Sequence, residues 1–384
     1  MVEYDELIRT AQQRTGLSDF GDDSYRDGLE RLVRSLRDEA TLNPLGEVVL
    51  PELLVTHLSQ RLQVESWYAR HPEIEDETVE APLIGLGLPR TGSTALSFLL
   101  AEDPNARSLR RWEAAAPCPP PSTVEGPDPR IAQAEAQQAM QQELAPRLAA
   151  LVPSTPTGPE ECQDLMALDF KSHYFQAFAY IPSYSEWLLD ADLTSTYLYE
   201  RRVLKLLQWG EPTRPWRLKC PSHLLWLEYL DEAFPDARFV MTHRDPAEVM
   251  VSVADLYAEV GRQFSEDIDL HYLGQLNVRH WTTAMERVIR FREKHGNARF
   301  FDMDFRDLQR NLIDEVRALY AWLGEPVSDS FLEGMRAWWS DNAESRQPNV
   351  HPDPSAFGLD LDEVRGLFAG YTSRFPEWTA SRTT

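Results

Sequence analysis

The amino-acid sequence predicts an α/β protein with a central parallel sheet flanked by helices. Residues 83–88 form a short apolar run that looks like a buried strand, and three more segments are strand candidates. Each segment is followed by a turn and a helical pattern, and strands that alternate with helices form parallel sheets. The predicted strands are 83–88, Trp216–Lys219, Arg238–Thr242 and Arg299–Met303. The 384-residue chain is 42% hydrophobic and 26% charged, which is typical of a globular protein.

The N-terminal region, residues 2–75, is predicted to be helical. Apolar side chains recur there at helical spacing, as in Leu29, Leu32, Val33 and Leu36. A turn is expected at residues 43–46, which read Asn-Pro-Leu-Gly. We therefore predict a helical N-terminal extension, residues 1–80, that packs on a core unit formed by residues 81–384.

The middle of the chain contains three distinctive segments. Residues 117–129 are too rich in proline for regular structure and could form a substrate lid. Residues 130–151 are rich in Ala, Gln and Leu and are predicted to form one helix. Residues 160–210 carry many aromatic side chains, which either belong to the core or line an acceptor pocket.

Net charge and cysteine content restrict the function classes. The formal net charge of −24 disfavours bulk attraction to nucleic acid or to an anionic membrane. The charged start of the chain is unlike a secretory signal, and no apolar run reaches the length of a membrane span. Neither the three cysteines, Cys118, Cys162 and Cys220, nor the histidines have the spacing of a metal site. These observations predict a cytoplasmic protein that does not span a membrane.

A loop that would bind an anion lies between the first predicted strand and the helix after it. Residues 87–94 read Gly-Leu-Pro-Arg-Thr-Gly-Ser-Thr. Backbone N–H groups in such a loop, with the helix dipole behind them, form an anion site. Gly92 would let the backbone approach the anion, and Ser93 and Thr94 add hydroxyl groups. The alternative is a glycine turn that serves only tight packing.

The spacing of this loop is close to that of the nucleotide-triphosphate loop G-x-x-x-x-G-K-[ST]. Gly87 and Gly92 match, but Ser93 occupies the lysine position and the positive charge has moved to Arg90. A kinase or ATPase would lack its main phosphate cation here. The loop therefore favours a terminal anion of lower charge and no obligatory Mg²⁺.

A second anion site is predicted where the third strand ends. Arg244 follows this strand, and ligands of α/β sheets bind at the carboxyl ends of strands. Asp245 and Pro246 would begin the next helix, with Asp245 as its N-cap. Ser252 lies eight residues after Arg244. The arginine and this hydroxyl could bind one phosphate, although an Arg244–Asp salt bridge with a solvated serine is the alternative.

Together the two sites resemble those of sulfotransferases that use 3′-phosphoadenosine-5′-phosphosulfate (PAPS). The first signature of that family is a Pro-basic-x-Gly-[ST]-Thr loop, here Pro89–Thr94. The second is an arginine at a strand exit with a serine eight residues later, here Arg244 and Ser252. Bacterial members share further segments, here Gly16–Asp23, Leu218–His223, Phe234–Val240 and Phe357–Leu359.

The resemblance implies a P-loop-like fold that transfers a sulfuryl group from PAPS to a hydroxyl or amine and releases adenosine 3′,5′-bisphosphate. It implies no required metal, an acceptor that is a small molecule, lipid or glycolipid, and no nucleic-acid partner. Homo-oligomers are compatible with it. Arg244 and Ser252 would bind the 3′-phosphate. The 5′-phosphosulfate would be held by Arg90, Thr91, Gly92, Ser93 and Thr94.

Three residues are predicted to be catalytic. Arg90 would stabilise charge on the leaving phosphate, and Lys219 could assist. His223 is the predicted general base because an unperturbed imidazole titrates near neutrality. The alternative for His223 is a helix-start histidine satisfied by backbone groups. Glu160 and Glu161 are reserve candidates for the base.

The sequence also departs from the family pattern. Ala95 stands where many animal cytosolic members have a tryptophan that stacks on adenine. Arg346 is the only candidate for their late Arg-Lys-Gly phosphate contact, and the central basic motif is Lys-x-x-x-His rather than Lys-x-His. Two alternatives stay open, a P-loop kinase-like phosphotransferase and a nucleotide-binding protein without catalysis.

Overall fold

The structure, a computed structural model, describes residues 3–342 and 352–379. Within this part of the chain, five parallel strands form one sheet in the order β2-β3-β1-β4-β5. The strands are β1 (Leu83–Gly87), β2 (Arg107–Ser108), β3 (Trp216–Lys219), β4 (Arg238–His243) and β5 (Phe300–Asp304). The predicted α/β class is confirmed, and each predicted strand is present to within about one residue.

Helices precede, connect and follow the strands. They are α1 (Tyr4–Thr15), α2 (Tyr25–Asp38), α3 (Gly46–Arg70), α4 (Ser93–Leu100), α5 (Arg111–Ala115), α6 (Pro129–Leu144), α7 (Pro146–Leu151), α8 (Gln163–Met166), α9 (Pro182–Leu189), α10 (Thr194–Gln208), α11 (Leu227–Ala233), α12 (Pro246–Gly261), α13 (Leu270–His295), α14 (Phe305–Leu323), α15 (Asp329–Asp341), α16 (Leu361–Leu367), α17 (Ala369–Arg374) and α18 (Pro376–Thr379). A short 3₁₀ helix, Pro221–Leu225, follows β3. Among the described helices, none combines the length and the apolar character that crossing a membrane requires.

The sheet is covered on both faces, as its alternating side chains require. Leu83, Val240 and Met303 face one apolar cluster, which α4, α14 and α15 complete. Their neighbours Ile84 and Phe239 face the opposite way, into the larger cluster that contains the remaining core. Burial on both faces explains why the central strand β1 reads as a continuous apolar run rather than an alternating one.

The N-terminal helices α1–α3 belong to that larger cluster and are therefore packed on the sheet unit. Arg61 of α3 is fully buried there and donates Nε to the carbonyl oxygen of Phe20 at 2.8 Å. Its Nη1 lies 3.4 Å from a carboxylate oxygen of Asp169, in the core unit. The division into residues 1–80 and 81–384 stays a prediction.

Two features differ from the sequence-based expectation. The single helix expected over residues 130–151 is two helices, α6 and α7, because Pro146 cannot donate the backbone hydrogen bond that would continue α6. The edge strand β2 was missed because its two residues are too short to show a strand pattern.

Candidate active site

Strand register brings the predicted site residues to one edge of the sheet. Gly87, the last residue of β1, is paired with Thr242 of β4, and Lys219, the last residue of β3, is paired with Gly85. All strands are parallel, so the segments after β1, β3 and β4 leave from the same edge. This edge is where the sequence predicted ligand binding.

The loop between β1 and α4 has the backbone geometry of an anion site. Gly87 and Gly92 have φ of +135° and +85°, and a Cβ on Gly87 would collide with Thr242. Arg90 has φ of +65°, in the left-handed region that costs energy for a residue with a side chain. Strain of this kind concentrates at functional sites. The loop is therefore held in one shape by the neighbouring strand.

The Arg90 side chain brings the two predicted anion sites together. Its Nε donates to Ser252 Oγ at 3.2 Å, and its Nη1 donates to the carbonyl oxygen of Leu151 at 2.6 Å. Arg244 in turn donates from Nη1 to the Arg90 carbonyl oxygen at 3.0 Å. Burial, and then repulsion from Arg244, lower the pKa of the Arg90 guanidinium. An anion between these cations would relieve both penalties.

The hydroxyl-bearing loop residues take different positions. The Thr91 side chain is fully buried and binds the Leu88 carbonyl oxygen and the Thr242 hydroxyl, each at 2.6 Å. Any contact of Thr91 with a ligand would therefore be through its backbone. Ser93 is the first residue of α4, and Thr94 follows it, so both lie at the positive end of the helix dipole.

The second anion site has the predicted helix start. Asp245 caps α12 by accepting from the Ala247 N–H at 2.9 Å, as predicted. Arg244 forms a salt bridge with Glu248 at 2.9 Å and packs its guanidinium 4.3 Å from the centre of the Phe305 ring. Arg244 is thus paired with a glutamate rather than an aspartate, Ser252 is buried rather than solvated, and Arg244 also has a direct link to the first loop.

Lys219 lies beside a carboxylate at the end of β3. Its stem passes Gly85, where an added Cβ would lie 3.1 Å from Lys219 Cγ. Lys219 Nζ forms a salt bridge with Glu161, whose other oxygen accepts from Gln163 Nε2 at 2.8 Å. The Glu161 side chain is 21% exposed. The glycine therefore makes room for a lysine–carboxylate pair at the ligand edge of the sheet.

Two more carboxylates adjoin this pair. Glu160 Oε2 lies 3.9 Å from Arg111 Nη1, and burial raises the pKa of Glu160. Burial, followed by repulsion from Glu160 and Glu161, raises the pKa of Asp164 well above its ordinary value. Perturbed acids that cluster beside a lysine at a sheet edge are characteristic of functional sites.

His223 occupies a different environment from Lys219. It lies in the 3₁₀ helix, is fully buried, and its Nδ1 is 3.0 Å from the hydroxyl of Tyr197. Burial lowers its pKa to about 3. Its nearest ionisable neighbours are Cys162 and Glu200, which are also buried. The structure thus brings Arg90, Arg244 and Ser252 together and places His223 in an interior cluster.

Helix α7 covers the Arg90 side, which the sequence did not indicate. Arg147 binds Asp255 of α12 at 2.8 and 3.0 Å and Glu259 at 2.9 Å, and Leu151 of the same short helix binds Arg90. No local pattern marks a backbone acceptor such as the Leu151 carbonyl.

Phe305 was also missed, although its position directly after β5 offered a signal. Its ring lies against both Gly92 and Arg244. Examining the residue that follows every strand would have identified it. Arg346, the candidate for a late phosphate contact, lies outside the described residues.

These features define an α/β protein with a parallel central sheet, flanking helices and two linked arginines at one edge of the sheet. The sequence of residues 82–329 matches the model of the sulfotransferase family. The crystal structure of sulfotransferase STF9 from Mycobacterium avium is 34% identical, with a TM-score of 0.90 over 98% of this chain and 97% of that one. STF1 from Mycobacterium tuberculosis H37Rv is 31% identical, with a TM-score of 0.85 over 96% and 99%. The chain belongs to the sulfotransferase family.

A shorter match connects the chain to a curated relative. It is 27% identical over 128 residues to the omega-hydroxy-beta-dihydromenaquinone-9 sulfotransferase Stf3 of Mycobacterium bovis. The match covers 33% of this chain and 33% of that protein, so it spans a third of the relative's length.

Proposed function

We propose that this sulfotransferase takes its sulfuryl group from PAPS and transfers it to a hydroxyl or amine acceptor. The observation that carries the proposal is the link between two arginines that follow different strands: Arg90 donates to Ser252, and Arg244 donates to the Arg90 carbonyl oxygen. The net charge of the chain is −24, so a nucleotide with two anionic groups needs a local cationic site. The two arginines supply such a site. Adenosine 3′,5′-bisphosphate carries phosphates at both ends and fits two linked sites.

In the proposed complex, Arg244 and Ser252 bind the 3′-phosphate. The 5′-phosphosulfate occupies the loop, held by Arg90, Thr91, Gly92, Ser93 and Thr94. Arg90 releases the Leu151 carbonyl to reach it, and a bond between two charged groups then replaces a bond to a neutral carbonyl. No metal is needed at this site, because the guanidinium groups supply the positive charge.

The reaction then follows from the positions of the side chains. The acceptor oxygen or nitrogen attacks sulfur, the bond from sulfur to the bridging oxygen of the 5′-phosphate breaks, and the bisphosphate leaves with the negative charge. Arg90 stabilises that oxygen, and Lys219, on the adjacent strand, assists. A base takes the acceptor proton. Alignment of the reactants and stabilisation of charge account for most of the rate enhancement in such a transfer.

Two groups compete for the role of base. His223 was predicted, but it is fully buried and its Nδ1 is held by Tyr197. Glu161 is partly exposed and paired with Lys219, so it can reach a bound acceptor. We propose that Glu161, with Glu160 adjacent, is the base that takes the proton of the acceptor. The His223→Ala variant is kept for comparison.

The acceptor is proposed to be a hydroxylated lipid or another apolar small molecule. Burial, and to a smaller extent the nearby Asp164 carboxylate, raise the pKa of the Tyr174 hydroxyl. Phe175 and Phe178 pack on Tyr174, with ring centres 4.6 and 5.1 Å away. An apolar wall beside the carboxylates suits an apolar acceptor. The printed name of Stf3, which specifies a hydroxylated menaquinone, supports the same class.

We further propose that the protein is cytoplasmic, because Cys118, Cys162 and Cys220 are all free thiols. Fractionation of the source cells tests this, and recovery in an exported fraction would contradict it.

The function is tested by incubating the protein with PAPS and a panel of hydroxylated lipids, phenols and amines. Accurate mass identifies sulfated products, and release of adenosine 3′,5′-bisphosphate gives the rate. Arg90→Ala should abolish the product, while Arg262→Ala, at the end of α12, should retain it. Phosphorylated products formed from Mg²⁺-ATP, with none from PAPS, would establish the kinase alternative instead.

A further inference from the structure

Three buried side chains form a cluster that the proposed reaction does not use. Cys162 precedes α8, Glu200 lies in α10 and His223 lies in the 3₁₀ helix after β3. One potential ligand atom from each residue lies within 4.8 Å of the others. All three residues have zero exposed surface. Because they are far apart in the sequence, no spacing motif could have revealed them.

The cluster contains polar atoms that the described residues satisfy poorly. The Glu200 carboxylate interacts with the Cys162 thiol, but neither of its oxygens has a well-aligned hydrogen bond, and Nε2 of His223 has no partner among residues 3–342 and 352–379. A buried polar atom without a partner costs free energy, and native proteins rarely leave several together. These atoms therefore point to a ligand that satisfies them.

The imidazole has the supporting contact of a metal ligand. The Tyr197 hydroxyl lies 3.0 Å from His223 Nδ1. If Nδ1 carries the proton and the tyrosine oxygen accepts it, the lone pair of Nε2 is free to coordinate. Metal-binding histidines almost always have their second nitrogen fixed in this way.

We propose that Cys162, Glu200 and His223 bind a zinc ion, with one further position open to water. Thiolate, carboxylate and imidazole are all zinc ligands, and three protein ligands with one open position is a known zinc arrangement. The thiolate argues against Mg²⁺ or Ca²⁺, which prefer oxygen. A thiolate and a carboxylate neutralise the two charges of Zn²⁺, so the buried site would have no net charge.

The ion would position the Lys219–Glu161 pair. Cys162 directly follows Glu161, and His223 lies four residues after Lys219. The Cys162 N–H also donates to the Lys219 carbonyl oxygen at 3.2 Å. A metal that binds Cys162 and His223 would therefore tie together the two segments that carry the pair. An effect of the ion on turnover, through the position of the Lys219–Glu161 pair, rests on the proposed function. The proposal that zinc binds does not.

The direct test is the metal content of the full chain purified without chelator and dialysed. Elemental analysis should find one zinc ion per chain. Replacement by Co²⁺ should give a thiolate-to-cobalt charge-transfer band and the strong visible absorption of a tetrahedral site. Neither readout requires PAPS or an acceptor, so failure here and failure of the proposed function are distinguishable.

Variants show whether the metal is at this cluster. Cys162→Ser and Glu200→Gln should lose the zinc, and Cys162→Ser should also lose the charge-transfer band. Cys118→Ser, at a free cysteine outside the cluster, is the matched control and should keep both. Tyr197→Phe leaves the ligands intact and should weaken zinc binding about 10–100-fold.

The inference is overturned if the folded wild-type chain, supplied with zinc, contains none after dialysis. It is equally overturned if the band survives Cys162→Ser, since the metal would then be bound elsewhere. Should Cys162→Ser and Glu200→Gln fail to fold, the wild-type metal content and the affinity of Tyr197→Phe decide the question.

Discussion

Arg244 donates a hydrogen bond from Nη1 to the main-chain carbonyl oxygen of Arg90, at 3.0 Å. Arg90 presents that carbonyl because its backbone is left-handed, and its own side chain crosses to Ser252. The segments after β1 and β4 are thereby linked before any ligand binds. This link joins the two segments at which anion sites are proposed.

Removal of the Arg244 guanidinium should weaken nucleotide binding more than it slows the saturated enzyme. Arg244→Ala loses a charged hydrogen-bond donor, so the Kd for adenosine 3′,5′-bisphosphate should rise about 10–100-fold. Ser252→Ala should have a milder effect. Calorimetry with the bisphosphate and with adenosine 5′-phosphate measures both affinity and discrimination, with Arg262→Ala as the control. If both variants still prefer the bisphosphate over adenosine 5′-phosphate as strongly as the wild type does, Arg244 and Ser252 do not bind the 3′-phosphate.

Loss of the Glu161 carboxylate should affect chemistry and leave nucleotide affinity near that of the wild type. A missing general base typically lowers turnover about 10²–10⁴-fold. Glu161→Gln is the variant, measured under saturating PAPS, and Glu186→Gln at an exposed salt bridge is the control. Normal turnover in Glu161→Gln, with a large loss in His223→Ala, would return the role of base to His223.

The fixed shape of the anion loop should be sensitive to one methyl group. In Gly87→Ala the added Cβ would lie 2.6 Å from the Thr242 carbonyl oxygen, in a backbone conformation that alanine disfavours. Gly16→Ala, at φ +70° with nothing within 4 Å of an added Cβ, reports the cost of a left-handed backbone without a clash. That cost is about 1 kcal/mol. Urea unfolding should show a clearly larger loss for Gly87→Ala, and equal losses would contradict the close approach.

The β4–β5 edge beside Arg244 should contribute stability that depends on pH. Burial opposes ionisation of Asp302, but hydrogen bonds from Arg292 at 2.7 and 2.8 Å and from His243 at 2.8 Å lower its pKa to about 2. A carboxyl with this depressed pKa stabilises the fold above its unfolded pKa of about 3.9, by about 2–3 kcal/mol. The contribution is lost as the pH falls through 3.9 toward 2.

Asp302→Asn should therefore lower the free energy of unfolding at pH 7, and its difference from the wild type should shrink as the pH falls below about 4. Asp307→Asn, at an exposed pair with Arg310, is the control and should change little. Denaturant titrations at several pH values measure this. A difference that stays constant down to pH 2 would show that the ion pair is not its cause.

The sequence was sufficient for features that depend on local pattern. The four longer strands, the Asp245 cap and the common sheet edge shared by Arg90 and Arg244 follow from strand patterns, capping chemistry and the geometry of a parallel sheet. The sequence paired Ser252 with Arg244, whereas the structure pairs it with Arg90. The hydrogen bond from Arg90 to the Leu151 carbonyl oxygen could not be predicted, because every residue has a carbonyl and nothing in the sequence distinguishes this one. Nor could the burial of His223, because it depends on packing between segments that are distant in the chain.

The most direct test of the central claim is ligand stabilisation of the fold without added metal. Thermal unfolding should be followed with adenosine 3′,5′-bisphosphate and separately with Mg²⁺-ATP. At about 100 times its Kd, the bisphosphate should add about 2.7 kcal/mol of stability. The account predicts this increase in the wild type, a reduced increase in Arg90→Ala and Arg244→Ala, and a smaller one with Mg²⁺-ATP. Greater stabilisation by Mg²⁺-ATP than by the bisphosphate would contradict it.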